Sequence, residues 1–119
     1  MTAERVNDLV KKIKDKGGAK IKLKSSKSHS IKSFSYRDSR RSYTPDIVVE
    51  YTNKQDYYAL EKKITAKLLP DLIAKWILFA LEARAKSGKF FLVVTETHAE
   101  LCRKLIANKQ LSVELIVMK

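Results

Sequence analysis

The chain is short of the residues and runs that many functions require. It has one cysteine, Cys102, so no internal disulfide can form, which agrees with a reducing compartment. Its longest apolar run, 76-WILFAL-81, is six residues long, where spanning a bilayer takes about 20, so no transmembrane helix is expected. The opening 1-MTAERVNDLVKKIKDK-16 mixes acids among its bases and has no apolar central block. It does not read as a secretory signal, and a cytoplasmic location is expected. Glycine is scarce: Gly17-Gly18 stands alone and Gly88 ends an expected helix, so neither a Walker loop nor a dinucleotide fingerprint is present. No nucleophile constellation occurs. His98 and Cys102 lie one helical turn apart, but only His29 remains to join them, too few ligands for zinc. Cys102 reads instead as a small buried hydrophobe.

Acidic residues are also few, 13 against 25 Lys and Arg, for a net charge of +12. Fold stability does not require such an excess, and self-repulsion makes it slightly costly, so it points to a polyanionic partner. Nucleic acid fits that description better than a membrane. At 119 residues the chain is expected to form one domain, 1–119, burying between ~60% and ~70% of its unfolded surface. No internal repeat or dividing linker interrupts it.

Val6, Leu9, Val10 and Ile13 recur at helical spacing with lysines between them, and Gly17-Gly18 supplies a stop, predicting a basic amphipathic first helix over 4–16. The alternation in 19-AKIKLK-24 predicts a half-buried strand with lysine on its outer face. From Ser25 to Ser42, eight serines and five Lys or Arg accompany His29, Phe34 and Tyr36, and the segment over about 25–44 reads as a mobile basic loop with a strand-like piece at 31–36. Next, 46-DIVVEYT-52, the turn-forming 53-NKQD-56 and 57-YYALEKKI-64 predict a β-hairpin. Pro70 and Asp71 suit a helix start, and Leu69, Leu72, Ile73, Trp76, Ala80 and Leu81 form its expected core face. A buried strand over 89–97, an amphipathic helix over 98–109 and a last strand over 112–119 complete the order α-β-(loop)-β-β-α-β-α-β. That order implies an antiparallel hairpin followed by parallel crossover units, with helices on the faces of one mixed sheet.

The hairpin carries the chemistry. Alternate strand residues share a face, so Glu61 and Lys63 are expected to project together about 6.6 Å apart, and pairing would bring Asp46 to the same end. Two carboxylates held close together repel unless a cation lies between them, and hard oxygen ligands with room for water suit Mg²⁺. A lysine beside them can hold water or stabilise charge on a phosphate. Pro45-Asp46, a 14-residue interval and Glu61-Lys62-Lys63 resemble the signature of the PD-(D/E)xK nuclease superfamily. The element order is similar to that superfamily's restriction endonuclease-like α-β-β-β-α-β core, with an additional C-terminal helix and strand.

The resemblance implies a Mg²⁺-dependent DNA endonuclease, with Mn²⁺ as a substitute, in which Asp46 and Glu61 hold metal and Lys63 is the catalytic lysine. The carbonyl of Lys62 would be a further ligand, and Glu4 or Asp8 would supply an acid from the first helix, Glu4 being the favoured one. The stretches 43-YTPDIVVEY-51 and 90-FFLVVTE-96 look most like TnsA-type transposon endonucleases, and small basic Holliday junction resolvases are similar in size and charge, which would place the activity in transposition or recombination. In the family the residue at Lys62 is usually apolar, so Lys62 departs from the pattern and leaves open a register in which it serves catalysis, or a degenerate site.

Phosphate contacts are expected from Lys27, Lys32, Arg37, Arg40 and Arg41, with Tyr36 or Phe34 stacking on a base. Glu50 and Glu96 are expected near the same sheet end in supporting roles. A homodimer would suit cutting both strands of a duplex. The alternatives are a non-catalytic nucleic-acid-binding module on the same fold, an assembly subunit, and, for the three charges, an ordinary cross-strand ion pair.

Overall fold

In the computed structural model, which describes residues 3–17, 20–26, 30–37 and 39–118, the element order is the expected one. Helix α1 (Ala3–Asp15) precedes strands β1 (Lys20–Leu23), β2 (Ile47–Glu50) and β3 (Gln55–Leu60). Helix α2 (Leu69–Ala85), strand β4 (Phe90–Thr95), helix α3 (Glu96–Asn108) and strand β5 (Glu114–Met118) follow. The five strands form one mixed sheet in sequential order, antiparallel from β1 to β3 and parallel from β3 to β5.

Two crossovers in succession, both stepping the same way along the sheet, put their helices on the same face. Accordingly α2 and α3 pack together over Val48, Tyr57, Ala59, Leu92 and Val94 through Trp76, Phe79, Ala83 and Cys102. The alternate residues Ile47, Val49, Tyr58 and Val93 meet Leu9 and Ile13 of α1 on the opposite face. The result is a three-layer α/β domain whose radius of gyration, 13.9 Å, is close to the ~13.5 Å of a compact chain of this length. Among the described residues no helix is long and apolar enough to cross a membrane.

The hairpin turn lies two residues earlier than its composition suggests. Glu50 pairs with Gln55, and the chain reverses through 51–54, where Tyr51 N–H donates to the Lys54 carbonyl at 2.9 Å. Asp56, read as a turn residue, is instead a buried strand residue whose Oδ1 accepts the Lys89 N–H at 2.8 Å. Beside it, a Cβ on Gly88 would stand 1.7 Å from the Gln55 carbonyl oxygen, so only glycine fits where the α2–β4 connection crosses β3.

The described part of the serine-rich segment is packed rather than free. Phe34 and Tyr43 exchange backbone hydrogen bonds of 2.8 Å as an isolated antiparallel bridge. The Phe34 ring stands edge-on to Tyr57 and Phe79. The Tyr36 hydroxyl donates to the Ala74 carbonyl of α2, and the Tyr43 hydroxyl donates to Asp71 Oδ1 at 2.6 Å. This strap widens the buried face of α2 beyond the stripe expected from spacing. Phe79 and Leu78 are buried while Leu81, expected in the core, is 56% exposed.

Candidate active site

The site forms where β2 begins and β3 ends. Pro45 is fully buried and has no N–H to extend the ladder, so β2 starts at Ile47. The Asp46 carboxylate takes over the ladder at that point: its Oδ2 accepts the Leu60 N–H at 2.7 Å, while its own N–H donates to the Tyr58 carbonyl at 2.9 Å. The Glu61 N–H then makes a last bond to the Val93 carbonyl at 2.9 Å, after which the chain leaves the sheet. Asp46 shares the parity of Val48, and Glu61 that of Tyr57 and Ala59, so both belong to the face covered by α2 and α3.

Glu61 is 6% exposed and fully partnered. Lys75 Nζ of α2 lies 2.9 Å from Oε1 and 2.9 Å from Oε2, and Trp76 Nε1 donates to Oε2 at 2.8 Å. Adjacent helix residues thus clamp one carboxylate, the ammonium compensating its charge and the indole bonding a buried oxygen. Asp46 is balanced less well. Burial pushes its carboxyl above the ordinary value and Glu61 adds to the rise, while the Leu60 N–H and the charges of Lys24 and Lys75 act the other way. Lys24 reaches it because the Lys24 N–H is bonded to the Asp46 carbonyl at 2.9 Å, extending the pairing of β1 with β2. Cys102 of α3 is fully buried, its thiol pushed up by burial first and by Glu61 second.

Comparison with protein-family models, with curated proteins and with solved structures found no match.

The site residues expected from sequence are therefore distributed as follows. Asp46 and Glu61 come together at one end of the sheet. Lys63 does not join Glu61 through strand alternation, because β3 ends at Leu60; Lys62 and Lys63 are both exposed beyond it. The lysine in contact with Glu61 is Lys75, which the motif spacing missed. It carries a signal nonetheless, as the only charge within the apolar run 72-LIAKWILFAL-81. Glu4 is exposed in the first turn of α1, the helix on the opposite face. Glu50 lies at the far end of β2, paired with Lys22 at 2.9 Å, whereas Glu96 follows β4 at the site's end of the sheet.

Lys32, Arg37 and Arg40 are exposed, and Arg41 makes an exposed 3.0 Å contact with Asp71, one turn before Lys75. Lys27 and His29 lie outside the described residues. Tyr36 and Phe34, expected to stack on bases, are turned inward as described above.

Among the described residues no group of three or more His, Cys, Asp or Glu side chains assembles, so the donor set is the carboxylate pair. Mg²⁺ is commonly held by one or two carboxylates with water and substrate phosphate completing its shell, and of this pair Glu61 already has both oxygens held by Lys75 and Trp76. The half-buried Asp46, its carboxyl raised by burial, is the member short of positive charge.

Proposed function

We propose that the chain is a Mg²⁺-dependent DNA endonuclease of the PD-(D/E)xK kind, acting on phosphodiester bonds in transposition or recombination. The observation that carries this reading is the placement of Asp46 and Glu61 on one face at one sheet end, with Lys75 in contact with Glu61. Asp46 and Glu61 would hold Mg²⁺, which when bound supplies Lewis-acid activation and orients the reacting groups. Lys75, fixed by Glu61 in a largely buried setting, is the cation placed to orient water or to stabilise charge growing on a phosphate oxygen. It takes the role that linear spacing gives to Lys63. Arg37, Arg40 and Arg41, carried by the strap beside the first turns of α2, would hold the nucleic-acid backbone next to the carboxylates, with Lys32 further along.

One observation favours the second reading, a nucleic-acid-binding module without catalysis. Both oxygens of Glu61 are already occupied by protein donors, so the site is satisfied without a metal. The experiment incubates supercoiled plasmid and a four-way junction with wild type, Asp46→Ala, Lys75→Met and Lys63→Ala, each with Mg²⁺ and with EDTA. Metal-dependent cleavage lost in Asp46→Ala and Lys75→Met but kept in Lys63→Ala is the expected result. Cleavage lost only in Lys63→Ala would return the lysine role to that residue. Equal cleavage by Asp46→Ala would end the nuclease reading, and DNA binding without cleavage by wild type would establish the binding module.

A further inference from the structure

The two faces of the sheet are covered unequally. Five strands spaced about 4.8 Å apart spread their outer axes over ~19 Å, while one helix with its side chains is about 10 Å wide, so a full layer takes two helices. On one face α2 and α3 supply two. The other face has only α1 among the described elements, and its buried residues Leu9 and Ile13 sit over β2 and β3.

Over β4 and β5 a groove of about 540 Å³ remains beside α1. Phe91, Ile116 and Met118 form its floor and are only partly buried. Along its α1 side stand Arg5, Lys12 and Lys16 against the single acid Asp8.

We infer that this groove is a docking site for an acidic amphipathic helix of a partner protein, lying alongside α1 and completing the second helical layer. Apolar floor and basic wall together select that occupant. A nucleic-acid backbone would satisfy the lysines but leave the Phe91, Ile116 and Met118 floor in water. A second copy related by a two-fold axis would set one net-positive patch against an identical one, a like-charge arrangement costly at an interface. A helix with leucines at i, i+3, i+4 and i+7 and glutamates on its flanks meets both demands.

The site is on the opposite face of the sheet from the carboxylates, and its test does not depend on the nuclease reading. Three capped synthetic helices as long as α1 serve as probes: one with a leucine stripe and glutamate flanks, one with the flanks changed to lysine, and one with the stripe changed to serine. Binding is followed by amide and methyl NMR shifts of the full chain. The leucine–glutamate peptide should give saturable shifts centred on Phe91, Ile116, Met118 and Lys12, with the other two weaker by about tenfold or more. The double variant K12E/K16E, at exposed positions, should weaken the leucine–glutamate peptide by about tenfold or more and improve the lysine-flanked one, with thermal stability as the check on folding. No saturable shift, shifts centred on the basic strap, equal binding of the serine-stripe peptide, or self-association through the groove seen by sedimentation would each overturn the proposal.

Discussion

At the scale of single residues, the informative group is Asp46. A carboxyl whose folded pKa is raised binds more protons folded than unfolded between the two pKa values, so its ionisation opposes folding. Stability from this group is present below the unfolded value, near 3.9, and is lost as pH rises through the folded pKa. Asp46→Asn keeps an oxygen for the Leu60 N–H and removes the ionisation. It should match wild type near pH 3 and become the more stable protein as pH rises to 7, measured by urea unfolding at several pH values. A constant difference across that range would mean that Asp46 is not the strained carboxylate. In the proposed function Mg²⁺ would supply the missing positive charge: at ten times its Kd it should stabilise wild type by about 1.4 kcal/mol and leave Asp46→Asn unchanged. Its partner Glu61 behaves differently, since its charge is already paired and its oxygens already bonded. Trp76→Phe keeps most of the buried ring but removes the N–H from Glu61 Oε2. The loss should be about 1–3 kcal/mol in unfolding free energy, because a buried acceptor is left unsatisfied.

Among the elements, the two parallel crossovers show where local chemistry and fold disagree. Helix α2 ends at Ala85 and α3 at Asn108, and each is followed two residues later by a residue in the left-handed region, Ser87 at φ 61° and Gln110 at φ 51°. That conformation costs an L-residue roughly 1–2 kcal/mol, and glycine usually occupies it. Ser87→Gly and Gln110→Gly should each add about 0.5–1 kcal/mol after the extra entropy of glycine in the unfolded chain is subtracted, and the two should add when combined. Thermal unfolding of the single and double variants checks this.

The same elements mark what sequence could convey. Periodicity located α1, β4 and α3 to within a few residues, because their apolar spacing is set by the faces they bury. It failed at the hairpin, where Asn53 and Asp56 both look like turn residues. Asp56 is instead paired with Val49 in the ladder, and its buried carboxylate is satisfied by the Lys89 N–H, 33 positions away. It failed again after Leu60, where the strand's end is decided by the Asp46 side chain and by Pro45, although the alternate position Ile64 is apolar. The meeting of Asp46 and Glu61 at one sheet end was legible because a fixed interval across a hairpin constrains both. Lys75 was not, because its relation to Glu61 depends on how α2 crosses the sheet.

For the whole molecule, the question is what a charge of +12 does when Asp46, Glu61 and Lys75 occupy so little of the surface. Fewer than half of the cations lie on α1, β1 and the strap, and in the proposed function the subset that matters is Lys24, Arg37, Arg40 and Arg41 toward the carboxylates with Lys32 further along. Phosphate contacts release condensed counterions, so the slope of log affinity against log salt counts them at about 0.9 per contact on duplex DNA. Five contacts predict a slope near −4.5 in fluorescence anisotropy titrations. Arg40→Ala with Arg41→Ala should make it shallower by about 2. Replacing Lys11 and Lys14 of α1, on the opposite layer, should leave the slope within about 0.5 of wild type. An equal change from either pair would mean that nucleic acid is attracted by net charge alone. A change confined to Arg40 and Arg41 would place the duplex across the sheet end where Asp46 and Glu61 meet.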